Sequence, residues 1–197
     1  MKITVVSGST RNGSKTLEVS SHLKKLLKDS DVDVELIDLN EMRLPLYDDD
    51  TVKQNKTWVE MLPKLQSSDG FIFASPEWDG MFSVGLHNLF YYTASATDTK
   101  PLAHKPVLLV GVSAGLGGAY PIAQMKSMGQ KNNHFVVIPE NLRFAHVGDA
   151  LVDGEIKIQG LKARTEYSLK ILIEYAKAIK VVRDSSFTDI KTFASGV

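Results

Sequence analysis

Residues 8–16 read GSTRNGSKT; they follow the apolar run MKITVVS and lead into a segment of helical periodicity. A short buried strand that ends in a glycine- and hydroxyl-rich turn and opens a helix is the first unit of a parallel α/β sheet. Its turn is built for phosphate, because a helix N-terminus presents free N–H groups and positive potential. The spacing comes within one residue of a nucleotide-triphosphate loop, G-x-x-x-x-G-K-[ST]. Gly8 and Gly13 are correctly placed, but Ser14 intrudes before Lys15 and Thr16. The insertion moves the lysine and the hydroxyl around the helix start, away from outer phosphates and magnesium. Asp38 follows the second strand, yet no other acidic residue ends an early apolar strand cleanly to hold that metal. Arg11 instead sits inside the loop among the hydroxyls of Ser9, Thr10 and Ser14. That set suits a terminal monophosphate held by N–H groups, hydroxyls and a guanidinium, with no metal. A plain helix cap, Ser14 with Glu18 one turn on, is the competing reading.

Outward from this turn, apolar runs alternate with helical stripes. Residues 3–6, 32–37, 71–74, 107–112 and 135–138 read as strands. Residues 17–27, 58–65, 83–96, 118–129 and 161–182 read as helices, with Pro63 limiting the second. Residues 40–50, NEMRLPLYDDD, read as a loop, and Asp153-Gly154 as the turn of a small edge hairpin. Five strands alternating with five helices give a parallel sheet covered on both faces. The expected organisation is one domain, residues 1–183, followed by a polar tail, residues 184–197.

Composition narrows the function. The chain has 197 residues, with 23 basic and 23 acidic side chains and no net charge. No basic footprint of a nucleic-acid binder is present. The absence of cysteine removes disulfides, thiolate catalysis and Cys-based metal sites. The histidines, at 22, 87, 104, 134 and 146, have no ligand spacing, so no metal is expected. No apolar run approaches the roughly 18 residues of a membrane span. The N-terminus reads as a strand rather than a signal peptide. The sequons at Asn12 and Asn55 read as chance, and the expected address is the cytoplasm.

Three loops that leave strands carry unusual residues: residues 8–16, residues 75–80 (SPEWDG) and residues 113–118 (SAGLGG). In an open parallel sheet all three lie on the carboxyl edge, where ligands bind. Their motifs resemble the NADPH-dependent FMN reductase family, which includes chromate-, quinone- and azo-compound-reducing flavoproteins. The family's G-S-x-R-x-x-S is matched at residues 8–14. Its [ST]-P-E-Y-N is matched at residues 75–79, with Trp78 for tyrosine and Asp79 for asparagine. Its S-x-G-x-x-G is matched at residues 113–118, and LPLYDDD, residues 44–50, is similar to its second-strand exit. Where the family often has P-G-x-L-K-N, residues 84–88 read VGLHN, one residue shorter and without the proline and lysine.

The resemblance covers about residues 1–180. It implies a flavodoxin-like three-layer sandwich, a five-stranded parallel sheet in the order 2-1-3-4-5, bound FMN, and a homodimer or homotetramer. Ser9, Arg11 and Ser14 would hold the FMN phosphate, with Lys15 and Thr16 at the helix start. Pro76, Glu77, Trp78 and Asp79 would border the isoalloxazine, largely through backbone contacts, and Ser113 and Gly115 would lie along its other edge. NADPH or NADH would be the co-substrate and a small molecule the electron acceptor. Hydride would pass to and from the flavin, so no side chain is expected to act as a catalytic acid or base. Bland readings stand beside these: Trp78 packs under its loop, Asp79-Gly80 makes only a turn, and Phe82, Phe90, Tyr91 and Tyr92 serve core and interface. Two other functions compete. A flavodoxin-type electron carrier would share the fold, although such carriers are usually acidic and lack the loop arginine. A serine hydrolase would use the G-x-S-x-G at residues 111–115, with Glu140 and His146 completing a relay around Ser113. Those two lie too close in the chain for the usual positions.

Overall fold

The computed structural model describes residues 1–96, 98–185 and 192–194, with Gln130 described by its backbone alone. Five strands pair in parallel: β1 (Lys2–Ser7), β2 (Asp33–Asp38), β3 (Gly70–Pro76), β4 (Pro106–Val112) and β5 (Val136–Phe144), in the order β2-β1-β3-β4-β5. This is the expected order. The central strands β3 and β4 are buried along their whole length, as unbroken apolar runs in a two-faced parallel sheet must be. The two-residue period of a strand divides each between two cores. Ile3, Val5, Ile72 and Ala74 face one side, and Val6, Phe71 and Phe73 the other.

The first side is closed by α1 (Lys15–Lys28) and α7 (Gln159–Ala178). Val19, Leu23 and Leu27 of α1, and Leu169, Leu172, Ile173 and Ala176 of α7, supply their apolar stripes. On the second side lie α3 (Lys56–Gln66), α4 (Val84–Ser95) and α5 (Ala119–Lys131), through Met61, Leu65, Leu86, Leu89, Phe90, Ile122 and Met125. Phe82, Phe90 and Tyr92 are core residues, whereas Tyr91 is exposed.

Several boundaries differ from the sequence reading. Pro63 lies inside α3 and does not limit it. The proline is on the exposed side, and the Val59 carbonyl, which loses its helical donor, belongs to a residue that is 53% exposed and has water available. Strand β5 runs on to Phe144, because the polar residues after Pro139 alternate with Leu142 and Phe144, which bury the inner face. The last long helix stops at Ala178, and a separate turn, α8 (Lys180–Arg183), follows Ile179. Arg183 then reaches Asp69 at 2.8 Å. The short helix α2 (Leu39–Met42) takes up the first part of what reads as a loop over residues 40–50. The hairpin at Asp153-Gly154 is present as β6 (Leu151–Val152) and β7 (Glu155–Ile156), after the four-residue α6 (Val147–Ala150). Of the expected tail, residues 186–191 and 195–197 fall outside the described part of the chain.

Candidate active site

The floor of the site follows from close packing at Gly8. Its N–H donates to the Ala74 carbonyl at 2.8 Å, which ties the exits of β1 and β3 together. A Cβ at this position would lie 2.3 Å from Leu86 Cδ1 and 2.7 Å from the Ala74 oxygen, so glycine is required. The chain then rises through Ser9, which is 1% exposed and whose hydroxyl accepts from Arg11 N at 3.2 Å. Ser14 is the N-cap of α1 and accepts from Leu17 N at 3.1 Å. The backbone N–H groups of residues 12–16 have no acceptor among the described residues. Five free donors at the positive end of a fourteen-residue helix make an anion cradle. Helix capping and phosphate binding are therefore compatible here: the Ser14 side chain caps while the preceding and following N–H groups stay open.

The loop after β3 forms the next wall. Trp78 and Met81 exchange both backbone hydrogen bonds, at 3.0 and 2.8 Å, around Asp79 (φ 50°) and Gly80 (φ 75°). Two consecutive positive φ values define the tight hairpin turn that Asp-Gly favours. Trp78 stands at its base with its ring half-buried, and the Arg11 guanidinium lies 4.6 Å from the ring centroid. This cation–π contact links the first two loops. Glu77 joins the second to the third: its N–H donates to the Val112 carbonyl at 2.9 Å, and its carboxylate accepts from Gly118 N, at the N-terminus of α5.

The loop after β4 is fixed by the one after β5. Ser113 N donates to the Phe144 carbonyl, His146 N to the Gly115 carbonyl and Val147 N to the Ser113 carbonyl, at 2.9, 2.7 and 3.0 Å. Together the four exits enclose a cleft of about 350 Å³. Of the residues singled out in the sequence, Ser9, Arg11, Ser14, Lys15, Thr16, Pro76, Glu77, Trp78 and Ser113 line it. Asp79 and Gly115 do not; one makes the turn under Trp78 and the other anchors His146. Lys15 directs its ammonium to Glu18, 2.7 Å away. Asn12, Gly13, Val112, Ala114 and Val147 complete the lining. The sequence gives no sign of Val147, because a fifth strand that ends at residue 138 leaves it nine residues beyond the strand exit, whereas β5 runs to Phe144 and brings it to the rim.

The hydrolase relay is not assembled. Glu140 is engaged by Arg164 at 3.0 Å, the Ser113 hydroxyl accepts from Gly115 N at 3.2 Å, and no hydrogen bond joins the Ser113 hydroxyl to a histidine among the described residues.

Residues 1–149 match the sequence profile of the family described as NADPH-dependent FMN reductase. The chain belongs to that family. The reductase is 26% identical over 200 residues to the FMN-dependent NADPH-azoreductase of Staphylococcus saprophyticus subsp. saprophyticus, a match covering 97% of this chain and 100% of that protein. Among solved structures it resembles FerB, a flavoenzyme NAD(P)H:(acceptor) oxidoreductase from Paracoccus denitrificans. That match has a TM-score of 0.75 and 18% identity over 90% of this chain and 97% of the other. An azoreductase from Bacillus anthracis str. Sterne gives a TM-score of 0.57 and 16% identity over 91% and 98%. These structures establish a flavodoxin-like fold. The reductase is thus an NAD(P)H-dependent oxidoreductase with FMN as its cofactor. Its cleft fits that group, offering a row of free N–H groups and an arginine for a phosphate beside a wall of Pro76, Trp78, Val112 and Ala114 for a flat ring.

Proposed function

We propose that this enzyme takes reducing equivalents from NADPH or NADH and delivers them to a small acceptor, such as a quinone, an azo compound, free flavin or a metal oxyanion, by a ping-pong mechanism. The observation that carries the single shared site is the state of the second glycine-rich turn. Residues 113–118 lead into α5 as residues 8–14 lead into α1, but the Glu77 carboxylate accepts from Gly118 N and sets a negative charge at the α5 N-terminus, where it repels a second phosphate. One open phosphate cradle is left among these turns, and it serves the resident flavin. The donor and the acceptor then use the same cleft in turn.

Within this reading the protein binds and orients. Ser9, Arg11, Ser14 and the N–H groups through Thr16 would hold the phosphate, with the Lys15 ammonium turned aside toward Glu18. Pro76, Glu77 and Trp78 would border one edge of the ring and Ser113 the other, with Asp79 and Gly115 fixing the loops behind them. When bound, FMN supplies the two-electron chemistry, and no protein acid or base is needed for the transfer. We place the enzyme in the cytoplasm as a homodimer or homotetramer; no helix among the described residues is long and apolar enough to cross a membrane. Exposed Val84 and Tyr91 of α4, beside exposed Leu46, give a second copy an apolar face to cover.

Initial rates with NADPH and a quinone test the shared site. Parallel lines in double-reciprocal plots are expected. Intersecting lines would mean that both substrates bind together, and would overturn it.

A further inference from the structure

The amino edge of the sheet, opposite the flavin cleft, carries another cavity of about 380 Å³. Gln66, Thr99, Lys100, His104, Lys105 and Arg183 contribute to its wall. Two of its lysines are buried, Lys100 at 3% and Lys105 at 6% exposure. Lys105 Nζ donates to the Leu65 and Gln66 carbonyls at 3.0 and 2.8 Å. Lys100 Nζ donates to the Ala94 and Asn132 carbonyls at 2.5 and 3.1 Å. An ammonium carries three hydrogens, so Lys100 keeps one without a protein acceptor among the described residues, and the third of Lys105 has only the Phe71 ring, whose centroid is 5.6 Å from its Nζ.

The charges do not balance locally. A buried charge is ordinarily paired, because leaving water is costly. Neither lysine has a carboxylate within ion-pair distance among the described residues, and Asp69, the nearby acid, is held by Arg183 at 2.8 Å and Lys2 N at 2.9 Å. Burial, followed by repulsion from Arg183, outweighs the attraction of Asp69 and brings the Lys105 ammonium down to about 7. Burial also lowers Lys100, and burial with the neighbouring His134 lowers His104. Closing the C-terminal carbonyls of α3 and α4 accounts for the lysines singly. It does not account for an open cavity between them with no acidic side chain in its lining.

We propose that this cavity binds a small phosphate- or sulfate-type dianion, held by Lys100, Lys105 and Arg183, with Gln66 and Thr99 adding neutral donors at the mouth. The ligand is an oxyanion, free or as the terminal group of a small metabolite. It lies away from the flavin phosphate and completes the charge balance of the buried lysines.

The test is phosphorus NMR of the FMN-saturated enzyme, so that the flavin cradle is already filled. Inorganic phosphate and glycerol 3-phosphate are titrated separately. Saturable broadening is expected for at least one; tighter binding of the ester assigns the terminal phosphate of a metabolite, and tighter or equal binding of inorganic phosphate assigns the free ion. Lys105→Met should weaken binding about 10- to 100-fold, the loss of one charge-assisted partner. Thr99→Glu, an exposed change that spares the buried lysines, should also weaken binding with the flavin spectrum intact. No saturable broadening in the wild type, or binding unchanged by Thr99→Glu, would overturn the proposal. So would loss of binding in flavin-saturated Arg11→Ala, which would place the anion in the flavin loop.

Discussion

Replacing Arg11 with alanine separates phosphate reading from loop architecture. The side chain is exposed, with its guanidinium 4.6 Å from the Trp78 ring centroid, and it has no carboxylate partner among the described residues. Removing it leaves no core cavity, so the fold should survive with its thermal midpoint close to wild type. The stacking contact at such an exposed site contributes only about 0.5–1 kcal/mol. Charge-assisted hydrogen bonds to a dianionic phosphate contribute more, about 1.5–3 kcal/mol after desolvation. The larger effect predicts that Arg11→Ala weakens FMN binding about 10- to 150-fold. Lysine here should restore part of the loss, supplying charge without the planar fork. Riboflavin has the ring and lacks the phosphate, so it should bind wild type and variant almost equally. Fluorescence-quenching titrations of the apoprotein with both flavins give the comparison. An equal loss for riboflavin and FMN would refute the reasoning and make Arg11 a structural support for Trp78.

Three further outcomes follow from local geometry. Asp79 has φ 50° in the turn under Trp78, so Asp79→Asn should be nearly neutral, whereas Asp79→Ala should cost about 1 kcal/mol in denaturant unfolding; equal midpoints would show that the turn is unstrained. Glu77→Gln removes the charge that caps α5 through Gly118 and should cost about 0.5–2 kcal/mol, read from the same unfolding curves; no change would remove this carboxylate from the account. Burial alone would raise the Asp69 carboxyl, but the Lys2 N–H and the Arg183 guanidinium outweigh it and hold it below the ordinary range. A depressed acid stabilises the fold above its unfolded pKa, and that stability is lost as pH falls through the folded value. The stability gap between wild type and Asp69→Asn should therefore be flat near neutrality and shrink below about pH 4; a gap that widens on acidification would contradict it.

The features that the sequence made plain are those with local causes. A short, valine-rich apolar run such as residues 107–112, set between Pro106 and a serine- and glycine-rich turn, reads as a buried strand, and Gly8, Arg11 and Ser14 combine strand exit, charge and helix cap in seven residues. Asp153-Gly154 and Asp79-Gly80 declare their turns because few other pairs accept two positive φ values. Features decided across the chain were not legible. Pro63 reads as a break, and only the exposure of its helix face makes it tolerable. The continuation of β5 through Glu140 and Asn141 depends on pairing with β4, where Leu109 sits opposite Asn141 after a register shift. That pairing carries Val147 to the cleft. The Glu77 cap on α5 needs two loops 41 residues apart to meet, and no spacing rule announces it.

This chain is itself the NAD(P)H oxidoreductase and does not merely carry electrons received from another protein. Anaerobic stopped-flow mixing of the purified FMN-bound enzyme with NADPH, and separately with NADH, tests it most directly. Bleaching of the flavin absorbance by at least one nucleotide, at a rate no slower than steady-state turnover with a quinone, is the predicted result. A flavin that stays oxidised with both nucleotides, yet bleaches when a separate reductase is added, would contradict it and identify an electron carrier.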